Sequence, residues 1–375
     1  MQIKEINVFT NGDALKLSTW SNFPYFFTET LEEKGIKVNR INTQPNKIFK
    51  TIYRFTIWQI LKRIKKHDTY DYYRTNINRF FVNKIIKDSI KKYSNADVNL
   101  FLNFSFTAKQ YSNKPTILFG DWTYEYFFPY FKNRKPSNLE QQFINKENYC
   151  IETADAVFVM FPKIATQMQK RYHNKNIFYP NAYFINTKTK NSSTEIIDKK
   201  LKHNRIIFIG TIKYKEGAIL LINATKHIIH KYPDIQIHII GMKEHDFNIL
   251  PKFVKCHGYL DKAKDSDREK YYDLMETSKL YVNTTPKWSA YSSAVEAMYF
   301  YTPIITTAYD DFVETFGKEI DFGIYNQQKN NLSNEIINIL ENEHYTQLCV
   351  NSNLAVKDFT WSNYIDKFLE KISIL

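Results

Sequence analysis

A chain of 375 residues, 43% hydrophobic and 16% aromatic, carries apolar mass for two ordinary cores, which excludes wholesale disorder. Its three cysteines, Cys150, Cys256 and Cys349, stand at no metal or redox spacing, which excludes a disulfide framework and points to a reducing compartment. No window reaches the roughly 18 uninterrupted apolar residues of a membrane span, and the net charge of +13 is concentrated rather than spread.

In chain order, "IKEINVF" predicts a first strand rather than a signal peptide, so a cytoplasmic protein is expected. "IKVNRIN" follows as a second strand. Between Lys47 and Lys92 lie thirteen Lys/Arg and three Asp, a difference of +10, interleaved with aromatics in "IFKTIYRFTIWQILKRIKKHDTYDYYRTNINRFF". Two readings stand side by side: amphipathic helices with solvated basic faces, or a docking face for an anionic membrane on its cytoplasmic side. Nucleic acid is not expected, because no zinc finger, RNP motif or helix-turn-helix pattern occurs.

Further strands are expected at "VNLFLNF", "PTILFGD" and "ADAVFVMF", and the polar stretch 186–204 reads as a linker. The second half alternates again: strands at "RIIFIGTI", "IQIHIIGM", "VKCHGYL", "KLYVNTT" and "TPIITT", with helices at "LLINATKHIIHKYP", "DREKYYDLMETS" and "SSAVEAMYF". "NLAVKDFTWSNYIDKFLEKISIL" ends the chain as a helix. The class is α/β, with two parallel-sheet domains.

Several signals fall away. "DSD" at 265–267 has no strand running into it, and Ser266 with Glu269 reads as a capping box. His227, His230 and His238 lack ligand spacing with carboxylates, so no metal is expected. There is no GxGxxG, P-loop or GxSxG.

Three features carry chemistry together. "IIFIGTIKYKEG" ends a buried strand at Gly210, where a ligand can approach the backbone, and the following lysines can neutralise a diphosphate. "CHGYLD" places Gly258 at another strand end, beside Tyr259 and Leu260. "KWSAYSSAVEA" puts small residues at a helix start, where N–H groups and the dipole favour phosphate. Glu296 follows about one turn inside, placed to accept ribose hydroxyls. It is the only acid between Glu276 and Asp310.

The order "FIGTIKYKEG … YPDIQIHIIGM … HGYL … YYDLMETSKLYVNTT … AVEAMYFYTPIITT … FTW" resembles the C-terminal domain of family 4 glycosyltransferases (glycosyl transferases group 1). "PTILFGDWTYEYFFPYF" and "IETADAVFVMFPKIATQMQKRY" resemble that family's acceptor domain more loosely. The resemblance implies a GT-B architecture, with two Rossmann-like domains facing across a cleft. Its expected parts are residues 1–185 (acceptor side), the linker 186–204, residues 205–355 (nucleotide sugar), and a helix 356–375 crossing back.

It also implies donor contacts from Gly12, from Gly210 and its loop, and from Tyr259 and Leu260 at the base. Backbone N–H groups of Tyr291, Ser292 and Ser293 would meet phosphate, and Glu296 the ribose. Departures are visible. Thr211 stands for the family's arginine and Glu216 for its lysine, which shifts the cationic role to Lys213 or Lys215. Trp288 stands where the first of two paired glutamates is usual; it either packs at a loop or walls the sugar. Asp121, near the place of the acceptor-side histidine, serves as a base, an orienting group or a turn residue.

The implied activity is metal-independent, retaining glycosyl transfer from a nucleotide-diphosphate sugar to a glycan, glycolipid or protein acceptor, in bacterial surface glycan synthesis. The alternative is a catalytically impaired nucleotide-sugar binder or partner subunit.

Overall fold

The computed structural model describes residues 2–65, 72–180, 185, 192–285 and 291–375. The chain divides into two compact units, one of residues 1–160, 164–180 and 365–375, the other of residues 161–163 and 181–364.

The first unit is built on six strands: β1 (Glu5–Thr10), β2 (Lys37–Asn42), β3 (Val98–Phe101), β4 (Thr116–Gly120), β5 (Ala156–Val159) and β6 (Ile177–Phe178). They pair in parallel in the order β2-β1-β3-β4-β5-β6. β3, β4 and β5 are buried at every position, which is why they read as unbroken apolar runs. Between strands run α1 (Phe23–Glu33), α2 (Lys47–Phe55), α3 (Ile57–Lys65), α4 (Asn76–Lys92), α5 (Tyr124–Lys132), α6 (Asn138–Thr153) and α7 (Pro162–Arg171). Side chains start several of them: Asn46 accepts from the N–H of Ile48 and Thr75 from that of Asn78, and Ser137 with Glu140 forms a capping box.

The second unit carries α8 (Ser193–Leu201), β7 (Arg205–Ile209), α9 (Lys215–Ile228), β8 (Gln236–Ile240), β9 (Val254–Gly258) and α10 (Asp265–Thr277). Then come β10 (Leu280–Asn283), α11 (Ser292–Tyr299), β11 (Ile304–Thr306), α12 (Asp310–Phe316), β12 (Gly323–Tyr325), α13 (Leu332–Leu340) and α14 (Tyr345–Val356). Its parallel sheet runs β12-β11-β10-β7-β8-β9. The last helix, α15 (Trp361–Ser373), begins in the second unit and ends in the first, where Phe368 packs on Phe27 and Phe158.

Two expectations need correction. The stretch 186–204 is not all linker: Ser192 and Glu195 form a capping box that starts α8, while residues 186–191 lie outside the described residues. Its apparent polarity misleads because Lys200 is fully buried, donating to the carbonyls of Met275 (2.8 Å) and Ser278 (2.9 Å) and to Thr302 Oγ1 (2.8 Å). Nor does Ser266 cap α10. That helix starts at Asp265, Arg268 pairs with Asp265, and Asp267 accepts the N–H of Asp261 at 3.1 Å instead.

Lys200→Met removes the donor from two buried carbonyls, each such loss costing about 1–3 kcal/mol. Urea denaturation of the variant should show a clearly lower midpoint; an unchanged midpoint would refute the stapling role of Lys200.

Candidate active site

In the second sheet the strand order reverses between β7 and β10. The chain leaves their carboxyl ends in opposite directions, which opens a crevice at the usual ligand position of an open parallel sheet. Gly210 follows β7 and Gly241 follows β8. A Cβ on Gly241 would stand 2.6 Å from the Gly210 carbonyl oxygen, and the φ of Gly241 is +98°. Only glycine allows this approach, which leaves the strand ends with a bare backbone floor.

Thr211 and Lys213 are exposed beside this floor. The Lys215 ammonium lies 5.7 Å from the centre of the Phe247 ring, so its side chain points to the loop after β8. At the end of β9, Tyr259 is exposed and Leu260 buried, one offering a ring to solvent and the other an apolar wall. Trp288 lies outside the described residues.

Helix α11 begins at Ser292 without a side-chain cap on Tyr291, and its first internal bond runs from Val295 N–H to the Tyr291 carbonyl. The N–H groups of Ser292, Ser293 and Ala294 therefore have no acceptor within the helix. The side chains beside them are committed elsewhere. Tyr291 is buried against Phe312 with its hydroxyl 2.6 Å from Thr315 Oγ1, and Ser293 Oγ lies 2.8 Å from the Tyr281 hydroxyl. What α11 offers a ligand at its start is backbone and the exposed side chain of Ser292.

Glu296 is buried inside this helix. Lys262 Nζ donates to its Oε1 at 2.8 Å, and the Tyr271 hydroxyl donates to Oε2. The Lys262 ammonium also sits 4.0 Å from the centre of the Tyr271 ring. Burial, with the Glu296 charge beside it, pushes the Tyr271 phenol well above its ordinary value, so the O–H remains a donor. A carboxylate has about four lone-pair sites, so Glu296 retains acceptor capacity for further hydroxyls. Lys262 and Tyr271 were not legible as partners: they lie 34 and 25 residues from Glu296 on other elements.

The first sheet reverses its order between β1 and β3, and a cavity of about 380 Å³ opens at the carboxyl ends of β1, β3 and β4. Asp121 lines it directly after β4, its Oδ1 accepting the Trp122 N–H at 2.8 Å, and burial pushes its carboxyl up. Glu147 lines the same cavity, buried, and accepts the Tyr124 N–H at 2.6 Å; burial raises its carboxyl against the opposing pull of Arg74. Arg74 stacks on the Tyr124 ring 3.0 Å from its centre. Gly12 lies in the loop after β1, where its φ of +132° and a Cβ position only 2.8 Å from Thr19 Cγ2 both require glycine. Arg74, Asn78 and Glu147 join Asp121 only through folding; each looks like an ordinary helix or turn residue in the sequence.

Residues 189–353 match the family described as glycosyl transferases group 1. A comparison with curated proteins gives no match. Among solved structures, HepE of Anabaena in complex with UDP-glucose is similar at 14% identity, with 99% of this chain and 100% of that one covered and a TM-score of 0.63. Sucrose-phosphate synthase from Thermosynechococcus elongatus gives 15% identity, 99% coverage of both chains and a TM-score of 0.64. TarM gives 11% identity, 99% coverage of both chains and a TM-score of 0.61. The chain has the GT-B fold that these structures share. Its second sheet lies in the part that matches glycosyl transferases group 1.

Lys262 and Glu296 form a buried pair with side chains 13% and 8% exposed. Removing one partner of such a pair costs about 3–5 kcal/mol. By that measure Lys262→Met should lower unfolding free energy by about 3 kcal/mol. Lys262→Met with Glu296→Gln should cost clearly less than the two single changes together. Additive single and double changes in chemical denaturation would rule out the pairing.

Proposed function

We propose that the chain transfers a sugar, with retention and without a metal, from a nucleotide-diphosphate donor to a glycan or glycolipid acceptor in bacterial surface glycan synthesis. The carrying observation is Glu296, a buried carboxylate held by Lys262 and Tyr271 one turn inside a helix whose first N–H groups face no intrahelical acceptor. Phosphate on those N–H groups and ribose on Glu296 is the arrangement this geometry favours. Catalysis then comes chiefly from stabilising charge on the departing diphosphate, whose oxygen accepts the acceptor's proton, so that no strong protein base is required. Lys213 supplements the helix N–H groups in neutralising phosphate. Asp121, in the cavity of the first unit, orients the acceptor. Two structural neighbours support this reading: one is bound to UDP-glucose, and a TarM variant from S. aureus is bound to UDP, fondaparinux and alpha-GlcNAc-glycerol.

We further infer that the enzyme works at an anionic membrane surface. No helix among the described residues is long and apolar enough to cross a membrane. Helices α2 and α3, however, expose Ile48, Ile52, Phe55 and Ile60. From Lys47 to Lys65 the sequence has six Lys/Arg and no acid. Strong amphipathicity with a cationic polar face is the composition of helices that lie in a lipid interface.

The donor reading is tested by incubating the protein with a panel of nucleotide sugars, with and without saccharide acceptors, and measuring released nucleotide. One donor should be turned over, and Glu296→Ala should lower that turnover roughly a hundredfold or more, through loss of charge-assisted hydrogen bonds worth about 1.5–3 kcal/mol each. Tight binding without release under every acceptor would favour a non-catalytic binder, whereas unchanged turnover in folded Glu296→Ala would remove Glu296 from the donor site. For the membrane, changing Lys47, Arg54, Lys62 and Arg63 together to Gln should weaken co-sedimentation with phosphatidylglycerol vesicles roughly a hundredfold or more, at about 1 kcal/mol per cation. Failure of the wild type to sediment at low salt would end that reading.

A further inference from the structure

Beside the polar cavity of the first unit lies a second one of about 500 Å³, bounded by α2, α3, α5 and α6. Its walls are largely apolar and aromatic, including Tyr53, Trp58, Leu61, Phe127, Phe128 and Phe143. Arg74 and Tyr124 line both cavities, so the two share a wall made by the guanidinium stacked on the phenol ring.

Asn78 lines the polar cavity and is 1% exposed; its Oδ1 has no hydrogen-bond partner, although its Nδ2 donates to the Tyr73 carbonyl at 2.8 Å. Asp121 and Glu147 add two carboxyls. The carboxyls of Asp121 and Glu147 can accept from an occupant's hydroxyls, and the Arg74 guanidinium can donate to them. Trp20 and Phe104 in the same lining supply aromatic surface for a flat apolar face such as one side of a pyranose.

We propose that these adjoining cavities bind the two parts of one acceptor, a glycolipid: its terminal sugar in the polar cavity and its hydrocarbon chain in the aromatic groove. The inference rests on the transferase reading above and narrows its acceptor class. A free glycan would leave the groove unfilled. A second copy of the chain is disfavoured by charge, because α2 and α3 would bring like cationic faces together. A lipid chain meets neither objection. Two of the four helices that wall the groove, α2 and α3, are those that present exposed apolar side chains and cations, so a molecule anchored in an anionic bilayer enters from the side where its chain already lies.

The test uses the full-length protein with glucose and with octyl, decyl and dodecyl β-glucosides below their micellar concentrations, followed by tryptophan fluorescence and calorimetry. Affinity should rise roughly tenfold for every two methylene groups, as expected when each is fully buried. Leu61→Asp and Trp58→Ala should flatten that chain-length dependence. Asp121→Ala should weaken all the glycosides by roughly tenfold and leave the dependence intact. Far-ultraviolet circular dichroism and thermal unfolding serve as the folding control for every variant.

Equal affinities for glucose and the alkyl glucosides would overturn the proposal. So would a chain-length dependence that survives both groove variants, or self-association of the wild type that Leu61→Asp abolishes. Failure of every nucleotide sugar in the donor panel to bind would instead sink the transferase reading, and that binding is read without any lipid, so the two failures are separable.

Discussion

Parallel strands covered on both faces leave one place for polar chemistry, the edge where their carboxyl ends meet solvent. In this protein that edge is opened twice by the same topological event, a reversal of strand order beside the first strand of each sheet. At β7 and β10 the reversal brings together the glycine floor, the start of α11 and Glu296. At β1 and β3 it makes the cavity lined by Asn78, Asp121 and Glu147. Neither site needs a dedicated scaffold, because each lies where helices on opposite faces of a sheet diverge.

The two edges solve the problem of a buried carboxylate differently. Glu296 has a cation and a phenol fixed on it, so it is oriented in advance, and its remaining lone pairs are available without rearrangement. Asp121 and Glu147 have one arginine between them as the main opposing charge, and burial raises both carboxyls. Such a site is adapted to hydroxyls rather than to another anion. The difference suits the division of labour proposed above, a grip on a charged nucleotide and a seat for a neutral sugar.

Much of the fold was legible because parallel strands buried on both faces leave unbroken apolar runs, as in "PTILFG" and "RIIFIG". The short strands β6 and β12 escape that rule; with two and three residues they carry too little pattern to separate from loops. Helix α8 was misread because polarity in the sequence does not reveal that Lys200 finds three acceptors inside the core. Ser266 and Glu269 satisfied a local rule that the chain did not use, since α10 begins at Asp265, two residues before a Ser266 cap would start it. At the site, Glu296 stood out as an isolated acid at a helix start, whereas Lys262, Tyr271, Arg74, Asn78 and Glu147 acquire meaning only from long-range contacts. Local pattern finds the residue that a helix positions; it does not find the residues that tune it.

The last helix has a consequence for how the molecule is made. Ile365, Phe368 and Ile372 are fully buried and belong to the first unit, in which Phe368 lies against Phe27 and Phe158. On the ribosome, the first unit therefore emerges with its hydrophobic centre missing a helix, and must wait while the entire second unit is synthesised. The second unit has no such wait for its sheet, whose strands are all contained in one continuous stretch. The order of completion is then the reverse of the order of synthesis: the half that appears first is finished last, and its exposed apolar surface has to be kept from aggregation until the final helix arrives.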